Sequence, residues 1–386
     1  MGISKVDSMD DNYTMNADTD LCTSNDSDGF MTSSEILDCY GDPENKWLFL
    51  FVLIIVWILT SATIFLNCLV LLSFAINRKI RSKPANVFIL TLSLADLTVG
   101  VVSLPLGNIQ LKYGYWAFGE IVCKLYLFID YTACGVSAGC IVLLSLDRYW
   151  MVKRHLRYNA FMTHRKAFTL SLCLVLFFGI FYVLGIFLWE LLTGKSNVDY
   201  NVGCGAGRKD NLTFIYLSVT IVFGLPFALL IYLNVNVYIG VINWSTGKNL
   251  QGGKNYRIER EKSKENHENH NLDRKNEKSD NMPVKQSSLR RFQGARRGSQ
   301  TRKAAITLAA LVTVFLICWL PYNIYIIIER PSSKFSNFGW IFVNYLLWIN
   351  SAINPILYAV TNKEFRKTFA RVIPLITNII ALPIQN

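Results

Sequence analysis

The chain has 386 residues, of which 52% are hydrophobic and 17% charged, and its mean hydropathy is +0.30. A soluble domain does not carry that balance; a chain that places much of its length in lipid does. The formal net charge of +12 is spread over several short segments, which argues against a nucleic-acid surface.

Residues 1–46 form an acidic tail with eleven acidic and two basic side chains. It is rich in Asp, Asn, Ser and Thr, a composition expected to be disordered. No basic stretch followed by a short apolar one is present there, so no cleavable signal peptide is expected and the first apolar run acts as its own insertion signal. Seven apolar runs follow at about 47–77, 85–111, 125–146, 167–189, 211–244, 304–328 and 335–362. Each exceeds the roughly 20 residues needed to cross the hydrocarbon of a bilayer. The fold class expected is an all-α membrane protein, a seven-transmembrane helix bundle with a short amphipathic C-terminal helix. Spans one to five occupy 47–244, and a disordered basic loop occupies 245–300. Spans six and seven lie in 301–362, and an amphipathic helix and tail fill 363–386.

Orientation follows from the basic loops. Arg78, Lys79, Arg81 and Lys83 follow span one; Lys153, Arg154, Arg157, Arg165 and Lys166 follow span three; Lys363, Arg366, Lys367 and Arg371 follow span seven. The positive-inside rule makes these segments cytosolic and the N-terminus extracellular. The glycosylation sequons at Asn12, Asn25 and Asn211 then lie outside, whereas the one at Asn243 falls on the cytosolic side and stays unmodified. Ser287, Ser288 and Ser299 stand beside Arg290, Arg291, Arg296 and Arg297, which reads equally as a kinase target or as a solvated basic linker near anionic lipid. Phe365 and Phe369, set among the basic residues after span seven, suit a helix lying on the membrane.

Five of the nine cysteines, Cys68, Cys134, Cys140, Cys173 and Cys318, fall within spans and read as small apolar residues. Cys123 and Cys204 both face the oxidising side, so a bridge between them is the favoured reading, with Cys22 and Cys39 a second candidate pair. The seven runs hold only two acidic side chains and no basic one: Asp96 in the second and Asp130 in the third. A carboxylate in a bilayer costs on the order of 3 kcal/mol and persists where it meets a cation, water or a proton. Two cation sites at different depths, one of them for an amine, are the expectation.

The polar residues of the spans form a pattern. Asn67 lies in span one, Leu94-Ala95-Asp96 in span two, and Asp147-Arg148-Tyr149 ends span three. Pro226 lies in span five, Cys318-Trp319-Leu320-Pro321 in span six, and Asn354-Pro355-Ile356-Leu357-Tyr358 in span seven. With these motifs in this order, the chain resembles rhodopsin-type (class A) G-protein-coupled receptors from about residue 47 to 373. Val175 and Leu184 depart from the tryptophan and proline usual in span four.

Asp130 points to the aminergic subfamily, in which a carboxylate at this place pairs with the ligand ammonium. By that resemblance the pocket includes Tyr131, Cys134, Ser218, Trp319, Tyr322, Asn323, Asn344 and Trp348, with aromatic faces around the cation. Cys123-Lys124-Leu125-Tyr126, Asn234-Val235-Asn236-Val237-Tyr238 and the stretch from Leu346 to Ala352 resemble histamine receptors, and Pro321-Tyr322-Asn323 resembles muscarinic acetylcholine receptors. Val222 replaces the histamine receptors' glutamate, Asn344 stands where muscarinic receptors complete a tyrosine cage, and Ser218 is the lone serine of span five. A histamine-like or acetylcholine-like ligand is expected, with another monoamine, a peptide or a lipid as the alternative.

The same resemblance implies an allosteric sodium site at Asp96, with Asn67, Ser137, Asn350, Ser351 and Asn354, and no other cofactor. Asp147, Arg148, Tyr149, Pro355 and Tyr358 are the expected coupling and switch residues for a heterotrimeric G protein. Membrane lipids, receptor kinases and arrestin are the other expected partners, and the plasma membrane the location. Family members often hold the arginine with an acid at the base of span six; here Thr301 occupies that place, followed by Arg302 and Lys303. Losing one charge pair of about 1 kcal/mol should raise ligand-independent signalling, and Thr301→Glu should lower it at matched expression. A silent unmutated chain, or a rise in the substituted one, contradicts this.

Other classes fit poorly. An opsin needs a lysine in span seven, where Trp348 stands, and a transporter shows internal repeats or broken helices. An enzyme needs a nucleophile with a base, or a metal cluster; all four histidines lie outside the spans.

Overall fold

The apolar runs fold as long helices because a backbone in lipid must satisfy its own hydrogen bonds. The computed structural model describes residues 43–153, 161–194, 204–205, 212–245, 305–306, 308–328 and 337–381. Among these, seven helices are long and apolar enough to cross a membrane: α1 Trp47–Ile76, α2 Asn86–Tyr113, α3 Gly119–Lys153, α4 His164–Leu192, α5 Thr213–Asn243, α6 Leu308–Ile328 and α7 Gly339–Thr361. The shortest has 21 residues, about 31 Å at 1.5 Å per residue, enough for a core of roughly 30 Å. The expectations placed on Asn12, Asn25, Asn211, Cys22, Cys39, Ser287, Ser288, Ser299 and Thr301 lie outside the described residues.

Helix α3 is the centre of the bundle. Its most apolar stretch is 61% buried, against 17% for α1 and for α5, and it packs on α2, α4 and α5. Close approach to α4 depends on Gly135 and Gly139, one turn apart: a Cβ on either would come within 2.6 Å of Phe178 or 2.4 Å of Leu174. The outward faces carry exposed Phe51, Ile54 and Ile58 of α1 and Phe168, Leu172 and Leu176 of α4, apolar surfaces suited to acyl chains.

Three helices contain a wide π turn that hydropathy does not signal. In α2 it covers Val99–Ser103 and in α5 Thr220–Gly224, with Leu104 and Leu225 bonding back five residues to Val99 and Thr220. Each precedes a proline, Pro105 or Pro226, whose absent N–H breaks the regular ladder. In α4 the π turn Leu184–Leu188 forms without a proline.

The helix ends extend past the apolar runs. Glu120, Lys124, Asp147, Arg148 and Lys153 all belong to α3: the helix continues past the apolar run, where Glu120 and Lys153 are exposed and the buried Asp147 lies beside Arg148. Between α1 and α2, Asn77 caps a single turn by accepting from the Lys79 N–H at 3.0 Å, and its amide donates to Thr368 at 2.8 Å. Thr368 lies on α8, Lys363–Ala381. Phe365 of α8 is fully buried between Phe74, at 5.8 Å, and Tyr358, at 5.7 Å, while Lys363, Arg366, Lys367 and Arg371 are exposed. The two faces match the amphipathic helix expected there.

Candidate functional site

Asp130 lies on α3 with its side chain turned toward α7 and is only 6% exposed. The Trp348 indole N–H donates to its Oδ1 at 3.1 Å, and the Cys134 thiol meets the same oxygen at 3.9 Å. No donor among the described residues takes Oδ2. The Ser103 hydroxyl, from the π turn of α2, approaches the carboxylate without completing a bond. Ion pairs among the described residues join Lys124 to Glu120 and Glu190, and Arg148 to Asp147; none reaches Asp130. A neutral indole satisfies one lone pair and leaves the charge uncompensated, an arrangement that can accept a cation.

Around this carboxylate the expected residues separate into two groups. Cys134 and Trp348 touch it, and Tyr131 is its chain neighbour, packed on Tyr182 of α4 at 5.4 Å. On the α6 side, Trp319 packs against Phe315 at 5.0 Å with its indole nitrogen buried and unpartnered, and Tyr322 packs against Trp340 at 5.9 Å. Asn323 and Asn344 both turn their amide nitrogens back onto their own helices, bonding the Trp319 and Trp340 carbonyls at 2.8 and 2.7 Å. Ser218 of α5 has a buried hydroxyl without a partner, and no direct contact joins it to Asp130. Val222, in the π turn of α5, is buried.

Sequence reasoning missed Ser103, Tyr182 and Tyr345. Each is a polar group inside an apolar run, and that was the available signal. It also missed the clamp at the N-terminal end of α3, where Lys124 bridges Glu120 at 2.6 Å and Glu190 of α4 at 2.9 Å. Beside it, Cys123 and Cys204 form a disulfide that ties the α4–α5 loop to the N-terminal part of α3.

One layer deeper, Asp96 is fully buried. Ser137 donates to its Oδ1 at 3.2 Å and Asn354 to its Oδ2 at 2.8 Å, and Ser351 stands beside it. Asn67 bonds the Ser351 carbonyl at 3.0 Å. Buried oxygens without partners remain on Asn67, Asn350, Asn354, Ser93 and Tyr358. A carboxylate among unsatisfied neutral oxygens fits a small hard cation, which prefers oxygen ligands. Among the described residues no cluster of three His, Cys, Asp or Glu suggests a transition metal.

At the opposite end of the bundle from the disulfide, Arg148 Nε lies 3.6 Å from buried Asp147 Oδ2. Lys153 sits 5.7 Å above the Tyr149 ring, and Tyr149 is 6.3 Å from Tyr232 of α5. Pro355 is buried within α7, and Tyr358, one turn on, packs on α8 through Phe365. This joins α7 to the amphipathic helix α8.

Residues 66–358 match the profile described as 7 transmembrane receptor (rhodopsin family). The alpha-1A adrenergic receptor of Cavia porcellus is 28% identical over 313 residues, covering 80% of this chain and 64% of that protein. The alpha-1D adrenergic receptor of Rattus norvegicus is 30% identical over 317 residues, covering 80% of this chain and 54% of that protein. Trace amine-associated receptor 365 of Petromyzon marinus is 28% identical over 317 residues, covering 80% and 75%. The match thus spans less than two thirds of each of these adrenergic receptors.

Proposed function

Because the chain belongs to the rhodopsin family of seven-transmembrane receptors, which are signalling proteins and not enzymes, we propose that it detects a small protonated amine and activates a heterotrimeric G protein. One observation carries the amine: among the described residues the buried Asp130 carboxylate has no basic partner, and its Oδ2 is left for a donor. A charge-assisted hydrogen bond from an ammonium satisfies that oxygen and neutralises the site. Adrenergic and trace amine relatives support the same ligand class.

The finer choice of amine divides by observation. Tyr131, Tyr322 and Trp348 offer aromatic faces to a compact cation, which favours a histamine-like or acetylcholine-like ligand. The relatives favour another monoamine. A panel of acetylcholine, histamine, dopamine, serotonin, octopamine and tyramine, read by calcium and cyclic AMP in cells expressing the full chain, separates them. Val222 removes any acid from its place on α5, so Val222→Glu should strengthen histamine alone, by about tenfold for one buried charge contact. A gain for every amine, or none for histamine, means that this part of α5 is not the far wall of the pocket.

Ligand contact is transmitted inward. Asp96, Ser137, Asn350, Ser351 and Asn354 would hold a sodium ion that supplies the positive charge their oxygens lack. Rearrangement of this cluster with Trp319, Pro355 and Tyr358 is the two-state element that both ends bias. Separation of Arg148 from Asp147 then offers the guanidinium, beside Tyr149, to the G protein. The N-terminus is extracellular at the plasma membrane, with Asn12, Asn25 and Asn211 glycosylated. The α8 helix rests on lipid, and kinases and arrestin meet the cytosolic face.

A further inference from the structure

Trp348 has a single polar group, an N–H that donates and cannot accept. Its use at Asp130 depends on ring orientation, because a flipped indole would point the N–H away. Three neighbours set that orientation. On one side lies Gly107 of α2, where a Cβ would come 2.8 Å from Trp348 Cη2 and 3.0 Å from Cζ3; only a glycine leaves room for the ring. The second is Tyr345, one turn earlier on α7, which meets the indole edge-on with centroids 5.2 Å apart.

The third is the polar chain that holds Tyr345. Its hydroxyl donates to Asn108 Oδ1 at 2.7 Å, and Asn108 Nδ2 donates to Thr60 Oγ1 of α1 at 2.9 Å. Thr60 in turn donates to the Val56 carbonyl at 2.8 Å. The direction of this chain is determined from one end. Since Thr60 spends its proton on Val56, it accepts from Asn108, so the amide nitrogen faces α1 and the amide oxygen faces Tyr345. Asn108 is fully buried and Thr60 is 3% exposed, so neither exchanges these bonds for water. The π turn Val99–Ser103 adds a residue to α2 and turns Ser103, Gly107 and Asn108 toward the interior together.

We propose that Asn108 and Tyr345, which make no hydrogen bond to Asp130, are positioning residues for amine recognition: they hold the Trp348 indole on Oδ1 and so present Oδ2 to the ammonium. The proposal rests on the amine reading of Asp130. Part of the affinity is then set before ligand arrives, through four helices that include lipid-facing α1.

The experiment uses the full chain with Tyr345→Phe, which keeps the ring and removes the hydroxyl, and Asn108→Leu, which keeps volume and removes both polar groups. In nanodiscs, the tryptophan indole 15N–H spectrum is recorded and the Trp348 resonance identified by its loss in Trp348→Phe. Both variants should shift that resonance and speed its exchange. In cells at matched surface levels, potencies of tyramine and histamine should fall about three- to tenfold, the scale of one lost hydrogen bond. In a Trp348→Phe background the same substitutions should change potency less than about twofold, since they act through that indole. An unmoved Trp348 resonance in both variants, or losses that add fully to that of Trp348→Phe, overturns the proposal. If neither amine activates the unmutated chain, the amine reading fails for these probes, while the resonance still decides whether Asn108 and Tyr345 hold the indole.

Discussion

Asp130→Asn is expected to abolish amine activation while leaving delivery to the cell surface intact. Asparagine keeps the shape of the side chain and an oxygen to accept the Trp348 N–H, so the bond at Oδ1 can persist. What disappears is the negative charge, in a place where no basic side chain among the described residues compensates it. Removing one member of a buried, hydrogen-bonded charge pair costs about 2 to 5 kcal/mol. At 1.4 kcal/mol per decade, potency should fall by about 30-fold to several thousandfold. The free receptor should be no less stable, because it no longer buries an unpaired carboxylate. Unchanged potency in surface-matched cells would remove Asp130 from recognition and with it the amine.

Cys204→Ala is expected to lower both surface delivery and thermal stability. The disulfide closes a loop with a sequence separation of 81, and constraining a loop of that length is worth on the order of 4 kcal/mol. The neighbouring clamp does not replace it. Glu120 is 49% exposed and Glu190 26%, so the pairs with Lys124 are partly solvated and contribute less than about 1 kcal/mol each. Loss of the tether also frees the loop at the N-terminal end of α3, two turns from Asp130, so amine potency should fall with stability. Wild-type melting and surface level in Cys204→Ala, or free thiols at Cys123 and Cys204 in the folded protein, would contradict the bridge.

Most of the helix plan was legible because bilayer thickness converts directly into a run of apolar residues, and each of the seven runs has a helix in its place. Boundaries were less so: α3 runs seven residues past Leu146 at its C-terminal end, since hydropathy falls at Asp147 while the helix does not. Asp96 and Asp130 stood out because a charge in lipid needs a cause, and the Cys123–Cys204 bridge because the positive-inside expectation put both thiols on one, oxidising side. What hydropathy could not convey is rotation. The π turns of α2, α4 and α5 alter which side chains face inward without changing composition. That is why Trp348 was readable as an aromatic wall but not as the donor to Asp130, and why Asn108, Tyr345 and Gly107 went unremarked. Their role comes from a flat ring fitted between a glycine and a hydrogen-bonded tyrosine, which no window average detects.

The most direct test changes the ligand and leaves the receptor alone. The panel amine that acts at the lowest concentration is compared, on cells displaying the unmutated chain, with its neutral analogue in which hydroxyl replaces the ammonium. Pairing between ammonium and Asp130 predicts a saturable response to the amine and a loss of at least about 30-fold in potency for the alcohol. Equal potency of the two compounds, or no response to any amine from receptor shown to be at the surface, would contradict it.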